Sequence, residues 1–127
     1  MKATDVDKFE KVKAQISQLH SEVSLLSKGK SDNLINKFKL KFINEKLTGA
    51  NAVLKGEFKP FKDFDVFDDA ELPSNSDVVL ILSQYLDCLE AWRCANIRYS
   101  NLDGDWYWKL EDKTQIETQP ASRYRKT

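Results

Sequence analysis

"FEKVKAQISQLHSEVSLL", residues 9–26, decides the fold, because its apolar residues return at alternating steps of three and four. Phe9, Ile16 and Val23 occupy one heptad position, and Val12, Leu19 and Leu26 the position three residues on. A repeat averaging 3.5 residues keeps a single apolar stripe turned toward a neighbouring helix. The spacing predicts one long helix over residues 5–28, packed along a seam. Three heptads are short for a free-standing coiled coil, and the flanking Lys13, Gln15, His20, Glu22 and Ser27 show no pattern of pairing charges. The expected seam partner is another helix of the same chain, with a second copy as the alternative. Gly29 is read as the terminator, and Ser31 or Asp32 as the next N-cap.

"LINKFKLKFINEKL", residues 34–47, alternates like a strand for five residues, Phe38, Leu40 and Phe42 against Lys37, Lys39 and Lys41. A longer window favours a helix over residues 33–48. Leu34, Phe38 and Phe42 repeat at four, Ile35, Ile43 and Leu47 extend the pattern, and no turn signal interrupts it. Apolar positions wrap more than half its circumference, which predicts a helix sandwiched between neighbours, with Lys37 and Lys41 on the wet edge. Gly49 is read as a break, followed by a short turn in "ANAVLKGEF". A third helix is expected over residues 76–99, after Pro73, capped by Ser74 or Ser76 with Asp77 complementing the helix dipole. Val78, Ile81, Leu82, Tyr85, Leu89, Trp92 and Tyr99 fall on one face of it; Ser83, Gln84, Asp87, Glu90, Cys94 and Arg98 lie opposite. In "NLDGDWYWKLED" the period changes to two, Trp106, Trp108 and Leu110 against Tyr107, Lys109 and Glu111, which predicts a β-hairpin around Asp103-Gly104.

Between the second and third helices, "FKPFKDFDVFDD" places Phe58, Phe61, Phe64 and Phe67 at every third position. Pro60 disfavours a helical conformation at Lys59 and removes an amide donor. A path with three residues per turn, polyproline-like or 3₁₀, would put all four rings on one side and the Lys and Asp residues in water. The expectation is an ordered strap across the helices. The functional alternative is an exposed aromatic and acidic binding strip, which would leave four rings in water at a cost of about 1.5–3 kcal/mol each.

With 127 residues, 41% apolar and 31% charged, the chain has the composition of one folded domain. The expected division is a single helical domain over 1–116 with a flexible basic tail over 117–127. No apolar run reaches membrane-spanning length, and the N-terminus lacks the apolar core of a secretory signal, so the expectation is a cytoplasmic protein. The formal charge is zero but segregated: residues 1–62 hold 13 basic and 7 acidic side chains, residues 63–127 the reverse. Mutual neutralisation on folding is the favoured reading over an acidic partner such as nucleic acid.

The chemistry-bearing residues are sparse. Cys88 and Cys94, about 120° apart around one helix, should not bridge, and with His20 as the lone imidazole there is no zinc-ligand set. Neither "KDFDVFDDAEL" nor "NLDGD" satisfies a calcium-loop pattern. No phosphate-binding glycine loop occurs, and no nucleophile is locally tied to His20. The best catalytic candidate is a set of two acid-x-x-acid pairs, Asp68 with Glu71 and Asp87 with Glu90, which across a bundle could hold Mg²⁺. That arrangement resembles all-α nucleotide pyrophosphohydrolases, but departs from them because the first pair precedes Pro73 and the second lies on the polar face of its helix, where Glu90 can pair with Arg93. Arg123, Tyr124, Arg125 and Lys126, near Trp106–Trp108, make weak nucleic-acid binding a further alternative.

The sequence thus points to a mainly α protein, a small bundle of three long helices with a Phe-rich strap and a C-terminal β-hairpin. Its expected role is that of a non-catalytic interaction or adaptor protein without cofactor or metal. It would bind a protein partner or itself as a homodimer, with no membrane partner, through helix 1, Leu80, Lys37, Lys41, Trp106 or Trp108.

Overall fold

Helix α1 (Ala3–Lys30) is the spine of the molecule, and both other long helices pack on it. The computed structural model describes residues 1–112 and 114–122. Helix α2 (Lys37–Val53) and helix α3 (Asn75–Ala95) lie against α1, and a three-stranded antiparallel sheet of β1 (Ile97–Tyr99), β2 (Trp106–Trp108) and β3 (Glu117–Thr118) closes one end of the core, in the order β1-β2-β3. The mainly helical class expected from the periodicities is the one observed.

The seam of α1 is Val6, Phe9, Val12, Ile16 and Val23, all buried. Phe9 stacks on Trp92 with ring centroids 5.0 Å apart and meets the edge of Trp108 at 5.2 Å, so the first heptad is locked to both α3 and the sheet. Toward the C-terminus of α1 the seam opens: Leu19 is half-buried and Leu26 exposed. At that end Asn75, buried at the first turn of α3, donates from Nδ2 to the Lys30 carbonyl at 2.9 Å, satisfying one of the free carbonyls with which every helix ends. The helix runs one residue past Gly29, and its C-cap is Ser31.

Several expected boundaries move. α2 starts after Asn36, whose side chain accepts from the Lys39 amide, rather than at Ser31 or Asp32. Residues 31–36 are drawn into pairing with the entry to α3, through Ile35 N–H to the Pro73 carbonyl and Asn75 N–H to the Asn33 carbonyl, both 2.8 Å. The helix also continues through Gly49, because a glycine costs a helix interior only about 1 kcal/mol whereas Leu47 and Ala50 on either side are fully buried.

α3 ends at Ala95, not at 99. Ile97, Arg98 and Tyr99 leave the helix to pair with Trp108, Tyr107 and Trp106 across the hairpin, whose turn uses Gly104 at φ 77°. β3 then pairs with Trp106 and Tyr107. The ordered chain therefore reaches past residue 116, into the segment expected to be a tail, and 123–127 lie outside the described residues.

The strap is present. A 3₁₀ turn over Gly56–Phe58 leads into Lys59 in extended conformation (φ −70°, ψ 129°), the geometry Pro60 demands of its predecessor. All four rings are half-buried against the core, less deeply than full inward rotation would give, and Phe61, Phe64 and Phe67 meet edge to face at 5.8 and 5.1 Å. Two asparagines one heptad apart on α2 pin the backbone: Asn44 accepts from the Phe67 amide and donates to its carbonyl, and Asn51 donates to the Asp65 carbonyl. The buried Tyr85 hydroxyl donates to Asn51 Oδ1 at 2.6 Å, and burial pushes that phenol up to about 12.

Candidate functional site

The side chains expected to carry chemistry are dispersed or committed to structure. Asp68 turns back on its own chain, accepting from the Ala70 amide, and Glu71 is exposed in the same segment. Asp87 is exposed on α3, and Glu90 is engaged elsewhere. Among the described residues, no group of three or more His, Cys, Asp or Glu is placed to hold a metal ion.

Glu90 belongs to a clamp that the sequence reading half anticipated. It does pair with Arg93, but Arg93 is buried rather than on the surface. The guanidinium donates from Nε and Nη2 to the two oxygens of Glu90 at 2.7 Å each, from Nη1 to Thr118 Oγ1 and the Gln119 carbonyl, and from Nη2 to the Pro120 carbonyl. All five N–H donors of the arginine are thereby used, in the rigid fork that suits this residue and not lysine. Ser122 donates to Glu90, and Lys13 approaches at 3.6 Å. The hydrogen bonds from Arg93, outweighing the effect of burial, hold the Glu90 carboxyl down at about 2. The clamp ties residues 118–122 to α3.

His20 and Ser83 do meet, Nε2 to Oγ at 2.9 Å across α1 and α3. The contact is a part-buried hydrogen bond between two helices. Cys88 and Cys94 are unbridged.

The partner-facing candidates separate by burial. Trp108 is 2% exposed and lies in the core against Phe9, so it is not available to a partner. Trp106 is half-buried beside Tyr99. Leu80 is exposed, but its neighbours Ser76, Asp77 and Gln84 on that side of α3 are exposed polar residues, and it stands as a single apolar side chain. Lys37 and Lys41 are exposed along a shallow groove of about 560 Å³ shared with Asn44, Phe67, Asp68 and Asp69, where basic helix meets acidic strap.

A different surface gathers the exposed apolar residues. Between α1 and α2, on the side not covered by α3, Leu19, Val23, Leu26, Ile35, Phe42 and Ile43 line an open groove of about 700 Å³. Leu25 on its α1 wall is 68% exposed. Phe38, 72% exposed, stacks edge to face on Phe42 with ring centroids 5.1 Å apart, one turn before it on α2. The expectation of a sandwiched α2 fails on this face: core contacts use Leu40, Ile43, Leu47 and Ala50, the strap covers the Asn44–Asn51 side, and Phe38 and Phe42 are left facing out. The available signal was the excess of apolar residues on α2 over what one interface can bury. No protein-family model, characterised protein or solved structure matches the chain. Among the described residues, no helix is long and apolar enough to cross a membrane.

Proposed function

We propose that this is a non-catalytic interaction protein that meets a protein partner, foreign or a second copy of itself, through the apolar groove between α1 and α2. The observation that carries the reading is the clustering of Leu25, Leu26, Phe42 and Phe38: single exposed apolar residues are ordinary on any surface, but here three large ones line one groove and a fourth, Phe38, stacks on Phe42 beside it, a grouping that marks an interaction site. The commitment of Glu90 and Arg93 to the clamp supports a structural rather than catalytic use of the one strongly perturbed carboxylate within the helices. The earlier candidate Leu80 yields to this groove as the contact region, and helix 1 keeps its place in it.

Photo-crosslinking tests the proposal. The photoreactive p-benzoylphenylalanine replaces Phe38 in one variant and Leu102, 99% exposed at the hairpin, in another. In the native host the Phe38 variant should give a discrete protein adduct and the Leu102 variant none. Equal adducts from both, or none from Phe38, would remove the groove from consideration.

A further inference from the structure

We infer that the occupant of the groove is a single amphipathic helix of a partner protein, about three turns long, with carboxylates along the flank that lies over α2. The inference rests on the proposed binding role and adds the partner's shape and charge.

Shape comes first. The α1 wall runs from Gln15 to Leu26, about 18 Å of helix at 1.5 Å per residue. α1 and α2 run antiparallel, with Val12 beside Gly49 toward one end and Leu26 sharing the groove with Ile35 at the other, and no residue of α3 lines the groove. The groove is therefore the vacant position of a four-helix arrangement. Its floor, with Leu19 and Leu26 at one heptad position of α1 and Phe42 and Ile43 on α2, has the spacing that receives apolar residues at i, i+3, i+4 and i+7 of an added helix. A strip of that length, two helices wide, offers well under the roughly 800 Å² per partner that a stable globular dimer buries. It suits one helix better than a second copy of the whole domain.

Charge fixes the flank. The rim on the α2 side carries Lys39 and Lys46, and neither takes part in an ion pair among the described residues. Across the groove the α1 rim carries Gln15, Gln18 and Glu22. The lysines nearer the strap, Lys37 and Lys41, border Asp68 and Asp69 instead. A docked helix thus meets unpaired positive charge along one edge and a neutral to negative edge opposite, which selects both the sign of its flank and its orientation.

The test uses two fluorescent synthetic peptides with a common three-turn Leu/Ile stripe, one flanked by Glu and one by Lys, titrated by anisotropy against the full chain. The Glu-flanked peptide should bind saturably and about tenfold tighter than its Lys-flanked twin, with the preference shrinking as salt rises. A Lys39→Glu, Lys46→Glu double variant should reverse the preference, and Leu25→Glu, a substitution at an exposed position, should abolish binding while the circular dichroism spectrum stays that of the parent. Equal binding of both peptides would overturn the charge assignment, and binding of neither would overturn the helix as occupant. A stable dimer in sedimentation equilibrium, dissociated by Leu25→Glu, would assign the groove to a second copy; that result overturns the foreign helix and leaves the interaction role standing.

Discussion

Two groups of phenylalanines in this chain meet opposite fates. Phe58, Phe61, Phe64 and Phe67 belong to a segment without regular helix beyond one 3₁₀ turn, yet all are packed on the core; Phe38 and Phe42 sit on a well-formed helix and face outward. Regularity of backbone therefore does not decide burial. What separates the groups is a set of polar pins. Asn44 and Asn51 grip the strap's backbone at Phe67 and Asp65, so the rings are delivered to the core at fixed positions. No element of the described chain lies over Phe38. The C-terminal segment repeats the strap's solution with Arg93 as the pin.

The comparison predicts a graded series of losses. Phe64→Ala should cost the most, about 3 kcal/mol, below the top of the range for a ring because this one is half-buried. A loss under about 1 kcal/mol in equilibrium urea unfolding would mean that the strap is a loose cover. Glu90→Gln should follow at about 2 kcal/mol, because it leaves the buried Arg93 guanidinium without its anion, reduced from the full cost of a broken buried pair by the partial exposure of Glu90. The same pair sets an acid limb. With the folded carboxyl near 2 and its unfolded value near 4.5, its contribution is complete above pH 4.5 and fades between about 4.5 and 2. In the Gln variant the stability–pH curve over that window should be flatter than in the parent. Asn44→Ala should cost about 1–2 kcal/mol, two hydrogen bonds to backbone less their replacement by water; it should also raise hydrogen exchange at the Phe67 amide ahead of the helices.

Much of this was legible in the residues, and two of the misplaced boundaries share a cause. The heptad of α1 over Phe9, Val12, Ile16 and Val23, the Ser74 cap of α3, the Asp103-Gly104 turn and the packing of every third strap residue on the core are local signals, and each is found where the sequence places it. Both fall where a distant segment competes for a backbone. Residues 33–36 pair with the entry to α3 instead of starting α2, and 97–99 pair with 106–108 instead of ending α3. β3, two residues long, offers no pattern at all. For the site, apolar residues in excess of one interface were visible on α2, but the sequence could not say which neighbour would be missing. Leu25 and Leu26 reach the surface only because the groove beside α2 stays uncovered, a fact of topology.

The smallest expected effect is the most direct test of the division between covered and uncovered rings. Phe38→Ala, unfolded in urea beside Phe64→Ala, should stay within about 0.5 kcal/mol of the parent, as an exposed substitution does, leaving a gap of at least about 2 kcal/mol between the two variants. Equal losses from the two substitutions would contradict the account, because Phe38 would then be part of what holds the fold together and not a ring left open for a partner.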